Sequence, residues 1–129
     1  MSPPVLVRRF TARPDEIAAV RHEVRDYAEQ NGAVDPNAIA LAVTEAITNA
    51  IVHAYIDQPE PGDIEVVVQR LPEDGIEILV CDDGRGMMPR TNSPGLGLGL
   101  PMVATLADRF EVQARAGGGT RVLMAFATG

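Results

Sequence analysis

Between residues 17 and 27 the apolar side chains fall at Ile17, Val20, Val24 and Tyr27, the three- and four-residue spacing of one helical face. Pro14-Asp15-Glu16 opens this predicted helix, since proline suits a first turn and acids there complement the dipole. Asn31-Gly32 closes it near Gln30. Asp35-Pro36 supplies the N-cap and first position of a second helix, with an apolar face of Ile39, Val43, Ala46, Ile47, Ala50 and Ala54, reaching to about Tyr55. Elsewhere the runs are short and strand-like. Residues 5–10 predict a first strand, and residues 64–70 and 76–81 a hairpin closed by Pro72-Glu73-Asp74-Gly75. Residues 58–63 read as a turn, and residues 82–95, rich in Gly and Pro, as a loop. A third helix is expected over 98–107, with Pro101 in its first turn. Residues 109–114 and 121–127 form a closing hairpin around Gly117-Gly118-Gly119. Helices and strand pairs segregate, which predicts an α+β fold: a two-layer α/β sandwich with a mixed, mostly antiparallel sheet and helices on one face.

Length and composition narrow this picture. With 129 residues, 46% of them hydrophobic, and neither repeat nor linker, the chain is expected to be one domain over 1–129. A formal charge of −7 argues against non-specific binding to nucleic acid or to an anionic membrane. All 11 basic residues apart from histidine are Arg, so bound phosphates must be held by backbone N–H groups, a metal, Arg or His rather than by a lysine. Cys81 is the only cysteine, excluding an internal disulfide, and its place in a strand suggests a packed, inert thiol. The N-terminus lacks a basic-then-apolar signal pattern, and no apolar run approaches a membrane span, so a cytoplasmic protein is expected.

Four polar signatures follow in order. Glu45, Asn49 and His53 advance by about 40° per step of four along the second helix, lining one stripe. Glu45 is expected nearly opposite the core face centred on Val43, and Asn49 and His53 toward its edge. Alone, such a stripe also fits the solvated face of an amphipathic helix. Asp82-Asp83-Gly84-Arg85-Gly86 follows a strand, where a fixed carboxylate can accept a hydrogen bond from the amine of a base and glycines admit close approach. An Asp/Gly-rich turn reads the same way, whereas calcium is disfavoured for want of a twelve-residue ligand loop. Gly95-Leu96-Gly97-Leu98-Gly99-Leu100 leads into the third helix and can expose N–H groups to an anion, although its spacing is not the dinucleotide fingerprint. Gly117-Gly118-Gly119-Thr120 is a hairpin turn that can bring a hydroxyl into the same site.

Together these residues resemble the histidine-kinase-like ATPase superfamily, the Bergerat fold shared by DNA gyrase, the ninety-kilodalton heat-shock chaperones, MutL and sensor histidine kinases. Residues 44–50 look like its N box, 80–87 like its first glycine box and 95–103 like its second. The short lid is most similar to that of the anti-sigma factor serine-protein kinases. The resemblance implies ATP and Mg²⁺, with Glu45 as catalytic base and Asn49 as metal ligand. It also implies that Asp82 reads adenine with help from Thr120, and that His53 lies near the phosphates. Gly84, Gly86, Met87, Gly95, Gly97, Leu98 and Gly99 would shape the lid and phosphate cradle. A sensor-kinase phosphoacceptor role for His22 is disfavoured, because only 26 residues separate it from Asn49. The implied partners are a sigma factor and a small anti-anti-sigma substrate of the STAS type. A homodimer through the first strand and helix is also implied, and Arg21 and Arg25 could meet an acidic partner. The alternative is a nucleotide-gated binding module without phosphotransfer.

Overall fold

The strand-like runs pair into one five-stranded sheet. In this computed structural model residues 5–54, 62–73, 75–83 and 99–129 are described, with backbone alone at 53, 54 and 99. The order along the chain is β1 (Val5–Thr11), a 3₁₀ turn (Pro14–Glu16), α1 (Ile17–Gln30), α2 (Pro36–Ala54), β2 (Asp63–Leu71), β3 (Gly75–Asp82), α3 (Gly99–Leu106), β4 (Arg109–Ala114) and β5 (Thr120–Ala127). Across the sheet the order is β1-β2-β3-β5-β4, and every neighbouring pair is antiparallel. The expected mixed sheet is therefore antiparallel throughout. β3 and β4 run in the same direction, but β4 crosses to the outer edge and β5 returns between them, so no parallel pair forms. The expected turn at 58–63 lies outside the described residues except at its end, where Asp63 already belongs to β2.

Side-chain alternation gives the sheet one apolar face. Ile64, Val66 and Val68 of β2, Ile76, Ile78 and Val80 of β3, and Val122, Met124 and Phe126 of β5 are all buried there. Val20, Val24 and Ala28 of α1 and Val103 of α3 close the same core from the helical layer. Each aliphatic side chain fully buried in this way contributes roughly 1.5–3 kcal/mol. Among the described residues the opposite face carries no helix, and at its edge Val5 and Val7 are 51% and 54% exposed.

The middle helix of the layer is α2. Ile39, Ala40, Ala42, Val43, Ala46, Ile47 and Ala50 are buried, an arc of roughly 160° around the helix. An arc this wide suits a helix that rests on the sheet and is flanked on both sides, by α1 and by α3. Its start follows the sequence signal: the Asp35 carboxylate accepts a hydrogen bond from Ala38 N at 3.1 Å. Replacing Asp35 with Ala is expected to lower unfolding free energy by about 1 kcal/mol. Urea denaturation should show this as a lower midpoint at unchanged slope.

Candidate functional site

The polar signatures converge because α2 and the central strands are nearly the same length. Val34 donates to the Ala127 carbonyl at 3.3 Å, and Ala38 shares an open pocket with Phe126 and Ala127, so α2 begins over the end of β5. From Ala38, residues 49 and 53 lie about 16 and 22 Å along the helix axis. From Ala127, Thr120 lies about 23 Å along β5. The second half of α2 therefore reaches the sheet end formed by Asp82 and Thr120.

Helix α3 lies along the first half of α2. Thr105 and Leu106, at its C-terminus, share the pocket with Ala38 near the N-terminus of α2. Because the two helices pack along each other, α3 runs antiparallel to α2 and its first residue, Gly99, points back toward the Asp82 end. Glu45 and Asn49 lie within about 20° of Ala38 around the α2 axis, on the flank that faces α3. Both are half-buried. Glu45 is thus less open than a position nearly opposite the core would be, because α3 lies along its flank. Thr44 and Thr48 return their hydroxyls to the α2 backbone, donating to Ala40 O and Thr44 O at 2.9 and 2.8 Å.

At the sheet end Asp82 is paired in register with Ile64 on one side and Thr120 on the other. Asp82 continues the face of Ile76, Ile78 and Val80, and Thr120 that of Val122 and Met124, so both project toward the helices. Each is only 6% exposed, and they are the buried polar residues among those described. A carboxylate this sheltered can offer a directed acceptor to a ligand amine, and the neighbouring hydroxyl can donate or accept.

The glycine turn explains how the strands come this close. Gly117, Gly118 and Gly119 have φ of 86°, 112° and 93°, in the left-handed region. A Cβ on Gly119 would overlap the Asp82 carbonyl oxygen and lie 3.1 Å from Asp83 Cα. The turn is closed by Arg115 N donating to Gly119 O and Gly118 N donating to Arg115 O, both at 3.1 Å.

One cationic side chain escaped the sequence reading. Arg115 donates from Nη1 to the Asp82 carbonyl at 2.9 Å and to Asp83 Oδ1 at 2.7 Å, while Arg9 of β1 reaches Asp83 Oδ2 at 3.4 Å. A lone Arg before a glycine turn carries no pattern, and only the β3–β5 register shows which carboxylate it meets. On the reverse face Cys81 is buried, and burial pushes its thiol above the ordinary range against the opposing pull of Arg115 and Arg121. The expected inert thiol agrees with this. Histidine 22 is exposed on α1 beside Asp26 at 3.2 Å, a surface residue as expected. Arg25 is already engaged by Asn37 and Glu29, whereas Arg21 stands exposed on that helix.

Among the sequence-predicted residues, Asp82 and Thr120 are paired at this end and the α2 backbone at His53 reaches its level, whereas Asn49 and Glu45 lie about one and two turns further back on the same stripe. Gly84, Gly86, Met87, Gly95, Gly97 and Leu98 lie outside the described residues. Among the described residues no three His, Cys, Asp or Glu side chains gather into a metal cage. The donor set suits Mg²⁺ carried with a polyphosphate, which takes one or two protein oxygens and keeps phosphate and water for the rest.

The family model described as histidine kinase-like ATPase domain matches residues 10–126. The serine-protein kinase RsbW of Bacillus pumilus is 33% identical over 127 residues, covering 84% of this chain and 78% of that protein. An anti-sigma F factor of Clostridium beijerinckii is 30% identical over 131 residues, covering 89% and 88%. Among solved structures, the RsbU and RsbW domains of a Mycobacterium tuberculosis protein superpose with a TM-score of 0.75 at 24% identity. That match covers 97% of this chain and 32% of the longer one. The mycobacterial sensor histidine kinase MprB gives 0.61 at 17% identity, over 95% of this chain and 98% of that one. At such identities the structural likeness speaks for the fold alone.

Changing Gly119 to Ala forces a side chain into both a left-handed backbone and the Asp82 carbonyl. The expected loss of stability exceeds about 1–3 kcal/mol, the usual cost of such backbone strain alone. Thermal unfolding should show it as a clear drop in Tm, whereas Gly117→Ala, with open space around its Cβ position, should lose less.

Proposed function

This chain belongs to the histidine kinase-like ATPase family, and we propose that it is an ATP-dependent serine-protein kinase that also serves as an anti-sigma factor. Its substrate in this reading is a small STAS-type anti-anti-sigma protein, within a partner-switching system of the cytoplasm. The observation that carries the reading is the buried Asp82–Thr120 pair at the end of the sheet, with Asn49 and Glu45 set back from it along one stripe of α2. That arrangement separates a base-reading end from a phosphate end, as a nucleotide demands.

Each side chain then has a distinct task. Asp82 accepts the exocyclic amine of adenine, and Thr120 supplies a hydroxyl beside it. Asn49 offers its amide oxygen to Mg²⁺, and His53 lies on the same stripe, near the phosphates. Gly84, Gly86, Met87, Gly95, Gly97, Leu98 and Gly99 form the lid and cradle, the last at the N-terminus of α3 where backbone N–H groups are free to meet anions. Mg²⁺, when bound with the nucleotide, neutralises phosphate charge during transfer. Glu45 orients the substrate serine and takes its hydroxyl proton as that oxygen accepts the γ-phosphoryl group and ADP departs. Half-burial on the α3 flank lets Glu45 stay reachable by a protein substrate while its rotamers are restricted by packing.

Binding of the regulatory partners is assigned to the protein surface. Among the described residues no helix is long and apolar enough to cross a membrane. A homodimer formed through β1 and α1 would cover Val5 and Val7, which stand exposed on the edge strand.

The test is transfer from γ-labelled ATP with Mg²⁺ to a small protein of the host lysate, identified as phosphoserine. Glu45→Ala should lower transfer by roughly 10²–10⁴-fold and leave ATP affinity nearly unchanged. Transfer that survives the substitution removes Glu45 from the role of base. An unlabelled lysate, with a partner still retained only in the presence of ATP, would instead make the protein a nucleotide-gated binding module.

A further inference from the structure

We propose that Arg115 is a positioning residue for base recognition: it pins the peptide that carries Asp82, and so sets where the Asp82 carboxylate meets its ligand. This rests on the nucleotide reading above and adds to it a residue from outside the family's motifs.

The geometry is specific. Asp82 is the last residue of β3, and beyond it the antiparallel ladder stops. At the end of a ladder the ψ and side-chain direction of the last residue are set in part by what holds the chain at its exit. Arg115 grips it twice from one guanidinium nitrogen, at the Asp82 carbonyl and at Asp83 Oδ1. Its own backbone is fixed by the glycine turn through the two 3.1 Å bonds with Gly118 and Gly119. Gly119 leaves room for the same Asp82 carbonyl, which a Cβ at that position would overlap. The clamp therefore joins the turn, the β3 exit and the buried carboxylate into one unit. Asp83 extends it, because its second oxygen faces Arg9, which also meets Asp63 at 3.3 Å on β2.

Ion-pair strength is not what this arrangement provides. Asp83 is 54% exposed and Arg115 35%, a setting in which a salt bridge adds little to stability. The bond to the Asp82 carbonyl is the part-buried contact and acts on orientation. Directed recognition of an amine depends on the acceptor being within tenths of an ångström of its place. Loss of the clamp should thus appear as lost discrimination between bases before it appears as unfolding.

The experiment compares binding of ATP with binding of purine riboside triphosphate, which lacks the exocyclic amine, by titration calorimetry in Mg²⁺. Asp82→Asn is the reference, since it removes the charged acceptor itself. Arg115→Ala is expected to weaken ATP by about tenfold, the scale of a lost hydrogen bond to a charged group, while purine riboside triphosphate changes by less than about twofold. Arg115→Lys keeps the charge on a shorter side chain without the planar guanidinium that holds Nη1 in place, and should recover only part of the discrimination. Asp83→Asn, which weakens one arm of the clamp, should fall between wild type and Arg115→Ala. Thermal unfolding of each variant separates misplacement from a failure to fold. If Asp82→Asn collapses the ratio of the two affinities and Arg115→Ala, folded, leaves it intact, Arg115 has no positioning role. If Asp82→Asn itself leaves the ratio intact, the assignment of Asp82 to the base fails first, whatever Arg115 does. Equal weakening of both nucleotides by Arg115→Ala would also overturn the proposal, since a general loosening of the site reads no amine.

Discussion

Everything chemical in this fold depends on how closely the glycine turn between β4 and β5 approaches the end of β3. A Cβ on Gly119 would overlap the Asp82 carbonyl, and the left-handed backbone of this glycine lets β5 start directly beside Asp82. Thr120 then falls in register with Asp82, and both side chains are sheltered on the helix face. A carboxylate in that position would be costly to bury without polar company. The hydroxyl and the neighbouring strand supply it, together with a fixed direction toward the helical layer.

From that constraint the helices acquire their meaning. A helix of 19 residues spans nearly the full length of the central strands, so starting α2 at the Ala127 end delivers its second half to the Asp82 end. The short α3, running antiparallel to it, points its N-terminus in that direction and reaches about the level of Glu45. Sheet and helices thus set the buried Asp82–Thr120 corner beyond an α2 stripe bearing Glu45 and Asn49. The family match over residues 10–126 agrees with this layout, and relatives with kinase and anti-sigma names match across most of their own length.

The periodic parts of this architecture were legible from the amino-acid order alone. Ile39, Val43, Ile47 and Ala50 repeat at helical spacing because one side of α2 must meet the sheet, and the Asp35 cap is a local hydrogen bond written in adjacent residues. Asp82 could be singled out because a strand precedes it and glycines follow. Less legible was whatever depends on neighbours far along the chain. Ala40 and Ala42 widen the buried arc of α2 because α1 and α3 flank it, and the same flanking leaves Glu45 half-buried rather than open. The antiparallel character of the whole sheet follows from β5 inserting between β3 and β4, a choice no local pattern records. Arg115 is the clearest case, meeting Asp83 across 32 residues through a pairing that only the folded register reveals.

The central claim is that a nucleotide lies with its base at Asp82 and its phosphates toward the stripe on α2. A crystal structure of the protein with Mg²⁺ and a non-hydrolysable ATP analogue tests this most directly. The account predicts the adenine amine hydrogen-bonded to the Asp82 carboxylate, Thr120 beside the ring, and the metal within ligand distance of the Asn49 amide oxygen. A nucleotide bound elsewhere, or with its phosphates at Asp82 and its base toward α2, would contradict it.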